Sequence, residues 1–106
     1  MTSNLKWAGA LSAMLVLASC ATAVRYTLQD RFRAIGLPAT TADCMVGELE
    51  ERLSQEDLQD IARYTFQLSR SETTMGAIRA LMTIDNTRAV TEIGKSGVVC
   101  VTGFRL

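Results

Sequence analysis

The sequence predicts an all-α domain of about four to five short helices, and three observations carry that prediction. Apolar residues recur three and four positions apart along most of the chain beyond residue 27. Ser, Thr, Asp or Asn precedes most of these runs, where a side chain can accept the first free amide hydrogens of a helix. One proline, no low-complexity run and 48% hydrophobic residues suit a packed core rather than disorder. With 106 residues, the chain has room for one small domain.

The first helix is expected from Thr27-Leu28-Gln29-Asp30, a capping box with Asp in place of Glu. Leu28, Phe32 and Ile35 share one face, and Gly36-Leu37-Pro38 ends the segment. A second start falls at Thr40-Thr41-Ala42-Asp43. Met45, Val46, Leu49 and Leu53 then line the inner face, and Glu48 and Arg52 stand four apart as a surface pair. The clearest start is Ser54-Gln55-Glu56-Asp57, with acids in the first turn favouring the helix dipole. Leu58, Ile61, Ala62, Thr65 and Leu68 follow it at helical spacing.

Ser71 to Thr74 offers the next cap, followed by a stripe of Met75, Ile78, Leu81 and Met82. Gly76 and Ala80, one turn apart, are small enough to admit another helix closely. Asp85-Asn86-Thr87 caps a short helix through Val90 and Ile93 that Gly94 ends, and Lys95-Ser96-Gly97 reads as a turn. Val98 to Val101 is β-branched but has no partner strand, so strand, short helix and extended segment all stay open.

Residues 1–19 read as a leader. Lys6 supplies positive charge, and WAGALSAMLVLA (7–18) is an apolar run of secretory length, too short to span a bilayer. Leu17-Ala18-Ser19-Cys20 resembles the lipobox of bacterial lipoproteins, a likeness confined to the leader. It implies cleavage before Cys20, a diacylglycerol on the Cys20 thiol and an acylated new amino terminus. Ala21, rather than Asp, follows the cysteine, which by analogy with enterobacterial sorting implies the outer membrane. The rival is Ala21-Thr22-Ala23, an ordinary A-x-A site that would release a soluble periplasmic chain starting at Val24. The lipobox is the favoured reading, with 20–26 as a short tether and 27–106 as the folded domain.

Three cysteines are awkward for an exported chain. Either leader reading removes the difficulty, because Cys20 is lipidated or discarded and Cys44 and Cys100 remain to pair in an oxidising compartment. A bridge closing a loop of about 57 residues would stabilise by roughly 4 kcal/mol on the chain-entropy argument. Such a spacing is unlike C-x-x-C, so a structural bridge is expected ahead of a catalytic redox pair.

Composition excludes more chemistry than it suggests. With no histidine, neither a Ser-His-Asp nor a Cys-His pair can be built, and three cysteines cannot make a four-thiolate zinc site. Equal numbers of basic and acidic residues, 11 each, give no electrostatic footprint for nucleic acid. The acids Glu48, Glu50, Glu51, Glu56, Asp57 and Asp60 are expected as a solvated face, since no calcium-loop pattern surrounds them. Ser69 to Thr74 reads as helix capping rather than a nucleophile paired with Lys95. Met45, Met75 and Met82 read first as core fillers and second as an adaptable binding surface. Phe66 falls off its stripe and is expected to be exposed or to face a partner.

These readings lead to a non-enzymatic envelope lipoprotein with a binding or structural role and no metal or cofactor. It is held to the membrane at Cys20, with a protein as its partner class. The alternative is a soluble periplasmic helical protein with chaperone-like or thiol-redox activity. Small periplasmic acid-stress chaperones are similar in carrying two well-separated cysteines on a helical core, a likeness of architecture alone.

Overall fold

The computed structural model describes residues 21–104, which form five helices with no strand among them. They are α1 (21–34), α2 (Ala39–Arg52), α3 (Gln55–Thr65), α4 (Thr74–Leu81) and α5 (Thr87–Thr102). The all-α expectation holds. Residues 1–20, where the leader and the Leu17 to Cys20 lipobox are expected, lie outside the described residues.

One apolar core joins all five helices. Leu28 and Phe32 of α1, with Ile35 in the turn just after it, meet Met45, Val46 and Leu49 of α2, Ile61 of α3, Leu81 of α4 and Ile93 of α5, all essentially inaccessible to water. Helix α5 packs most heavily on α2 and also touches α4 and α3.

Helix α1 does not wait for the box at Thr27. It is helical from residue 21, so 21–26 is not the expected tether. The physical reason is that its stripe extends one turn back: Val24 packs against the core one turn before Leu28. Arg25 also pairs with Glu50 of α2 at 2.6 Å. At its other end the helix closes in a Schellman motif. The Gly36 N–H donates to the Arg33 carbonyl at 3.1 Å and the Leu37 N–H to the Phe32 carbonyl at 3.1 Å. Gly36 takes φ +116°, which only glycine adopts easily. The Ser71 N–H donates to the Ile35 carbonyl at 2.8 Å, tying the α3–α4 connection to this turn.

The caps of the next helices follow the sequence closely, apart from α2, which starts behind Pro38 without a side-chain cap. Ser54 accepts from the Asp57 N–H, Thr73 from the Gly76 N–H and Asn86 from the Ala89 N–H.

Helix α5 departs most from expectation. Gly94 does not end it, Lys95-Ser96-Gly97 is not a turn, and 98–101 is helical. Ala89, Ile93, Ser96, Gly97 and Cys100 lie three or four apart, a continuous helical face carried through both glycines. The glycines are used for close packing. A Cβ built on Gly97 would touch Ile78 at 3.4 Å, and one on Gly94 would touch the Met82 methyl at 3.4 Å. The small residues that admit a neighbour are therefore on α5. Gly76 instead faces its own cap, Thr73, at 2.9 Å. The helix ends at Gly103, at φ +79°, whose N–H returns to the Val99 carbonyl.

Candidate functional site

The structure joins two residues that the sequence singled out. Cys44 on α2 and Cys100 in the last turns of α5 form a disulfide, with Cα atoms 5.8 Å apart. Cys44 is exposed and Cys100 half-buried. Cys20 lies outside the described residues.

The acidic cluster divides. Glu56 and Glu51 are solvated as expected, but Glu48 and Asp57 are buried. Glu48 sits near Arg52 at 3.5 Å. Asp57 is 4% exposed and knits the start of α3 to that of α5. Its carboxylate accepts from the Asn86 amide at 3.0 Å and from Arg88 at 3.2 and 3.3 Å. Among the described residues no three His, Cys, Asp or Glu side chains gather as metal ligands.

The hydrogen bonds from Asn86 and Arg88 hold the Asp57 carboxyl below its ordinary value, outweighing its burial. A folded value below the unfolded one means that the stabilisation is complete above the ordinary carboxylate range. It is lost as pH falls through that range toward the folded value. Asp57→Asn is therefore expected to lower stability by about 1–2 kcal/mol at pH 7. The gap from the parent protein should narrow steadily below about pH 4, where the Asp57 carboxyl of the unfolded parent chain begins to protonate. Urea midpoints between pH 7 and pH 3 check this, and a gap that ignores pH would refute it.

The clearest concave feature is a groove of about 520 Å³ between α4 and α5. Ile78, Gly94 and Gly97 form its floor, while Met75 and Met82 on one side and Val98 and Val101 on the other form its walls. Met75 is 52% exposed and Met82 40%, so these two methionines are surface residues and not the expected core fillers. Met45 alone of the three is buried in the core. The rim is polar, with Thr91, Thr102 and Lys95, the one charged residue in the lining. The Lys95 ammonium stands 3.7 Å from Glu92.

Sequence reasoning missed the α5 wall. Val90, Gly94, Val98 and Val101 form a second stripe beside the one that faces α2, and this stripe appears only if the helix runs through its glycines. Phe66 is exposed as expected, with the Arg31 guanidinium 4.4 Å above its ring and bonded to the Thr65 carbonyl at 3.1 Å.

The groove offers apolar surface, two deformable thioethers and one cation. Its volume falls within the range of binding pockets, roughly 300–1,000 Å³. The chain matches no protein-family model, no curated protein and no solved structure, so its function is argued from its own residues.

Proposed function

We propose that this chain is a small bacterial envelope lipoprotein with a non-enzymatic binding role. It is cleaved before Cys20 and anchored through that cysteine to the membrane, facing the periplasm, with the outer membrane favoured. The observation that carries the reading is the division of the three cysteines. Cys44 and Cys100 are bonded to each other, as an oxidising compartment favours. This leaves Cys20, in Leu17-Ala18-Ser19-Cys20, for the lipid.

The α4–α5 groove is the binding surface, and its occupant is an apolar segment of a protein partner that carries a carboxylate. Methionine walls adapt to side chains of varied shape, and Lys95 supplies the complementary charge.

Intact mass of the protein from the membrane fraction tests the anchor. The expected mass is that of residues 20–106 plus acyl groups. A lipid-free mass of residues 24–106 would withdraw the anchor and leave a soluble periplasmic protein.

Anilinonaphthalene sulfonate, an apolar anionic dye, tests the groove. The folded protein is expected to bind it, and Val98→Glu should abolish binding without changing the unfolding midpoint. Lys95→Gln should weaken binding by about threefold and flatten its salt dependence. Dye binding indifferent to both substitutions would sink the groove reading.

A further inference from the structure

We propose that the Cys44–Cys100 disulfide is a redox control on the α4–α5 groove, holding in place a wall that dissolves when the bond is reduced. The proposal rests on the groove being the binding surface.

Its first support is local. Gly94 to Thr102 reads GKSGVVCVT, with two glycines and a set of β-branched or small hydroxyl and thiol residues. Only Lys95 in this stretch is a good helix former. Left to its own preference, the end of α5 is not a helix.

Its second support is packing. Beyond Ile93, the buried residues of α5 are Ser96 and Gly97, which present almost no apolar side chain. Past Gly97, Cys100 is the apolar residue packed against the core. The bridge is therefore what fastens these turns to the body. The other end of the bridge is firm, because Met45, Val46 and Leu49 around Cys44 are fully buried. Breaking the bond frees the last turns of α5 and leaves α2 in place.

The third support is what the freed segment builds. Val98 and Val101 are the α5 wall of the groove, and Thr102 is part of its rim. Melting them leaves Met75, Ile78 and Met82 on α4 without a facing surface.

Cys44 is the exposed partner and the point of entry. A dithiol reductant supplies the electrons. One of its thiolates attacks the Cys44 sulfur, the Sγ–Sγ bond breaks, and Cys100 leaves as a thiolate that takes up a proton. The second reductant thiol then attacks the mixed disulfide. Cys44 is released as a thiol and the reductant becomes a disulfide, a transfer of two electrons in all.

The test is amide hydrogen exchange on the full exported protein, oxidised and after reduction by a dithiol, with the free thiols counted by alkylation. Amides of 98–103 are expected to lose protection by about tenfold or more, while those of Met45 to Leu49 stay protected. Dye binding at the groove should fall in step. The doubly substituted Cys44→Ser/Cys100→Ser protein should match the reduced state without reductant. Val99→Ala, a better helix former outside the groove lining, should restore about two- to threefold of the lost protection.

Unchanged exchange at 98–103 after full reduction overturns the proposal. So does loss of protection throughout the chain, which would make the bridge a clamp on the whole fold. Local melting with undiminished dye binding overturns it as well. Failure of the groove reading itself shows separately, as oxidised protein whose dye binding ignores Val98→Glu.

Discussion

Phe32→Ala is expected to lower the unfolding free energy by about 3–5 kcal/mol. The side chain is fully buried, with no accessible surface, at the point where α1 meets the rest of the core. Truncation removes the transfer energy of the ring and leaves a cavity among Leu28, Ile35 and their neighbours that rigid helices cannot close. A domain of this size has about 5–15 kcal/mol in total, so the variant sits near the edge of folding. The transition should still be cooperative, with a lower urea midpoint and an unchanged slope. Phe32→Leu, which keeps most of the volume, should lose no more than about 1.5 kcal/mol. A loss below that value for Phe32→Ala would show that the helices collapse onto the gap and that the core is softer than its burial implies.

Gly36→Ala is expected to cost about 3 kcal/mol, from backbone strain plus a lost hydrogen bond. At φ +116° an alanine is strained, and its Cβ would lie 2.4 Å from the Ser71 carbonyl oxygen. That oxygen belongs to the backbone and cannot swing away as a side chain would. Relief requires the α3–α4 connection to lift off α1, which parts the Ser71 N–H from the Ile35 carbonyl. Ordinary Gly→Ala changes at compatible positions stabilise by about 0.4–1 kcal/mol through the unfolded chain, so the sign is itself diagnostic. Urea unfolding of the variant decides it, and a stabilised protein would mean that the connection yields without loss.

Where local chemistry governs, the fold was readable. Ser54, Thr73 and Asn86 each accept an amide hydrogen from three residues on, as their positions before apolar stripes suggest. Leu28, Phe32, Ile35, Leu49 and Ile61 are buried at helical spacing. Where tertiary contact overrides local preference, the reading failed. Gly94 and Gly97 look like helix breakers, yet α5 keeps them because α4 lies against that face. With the helix cut short, the stripe through Val98 and Val101 could not be seen, and the groove went with it. Asp57 was legible as a first-turn acid, but its partners Asn86 and Arg88 come from a distant helix that spacing cannot locate.

The early start of α1 bears on how far the domain could reach from the anchor proposed at Cys20. An extended stretch over 20–26 would let the domain drift by about 25 Å. Residues that are already helical from 21 have no slack to pay out. If Cys20 carries the acyl chains as proposed, the domain has no leash and rides on the bilayer surface. Its partner must then live at that surface or come to it, and a target resting deeper in the periplasm is out of reach. Inserting a flexible Gly-Ser spacer after Cys20 would lengthen that radius without touching the groove.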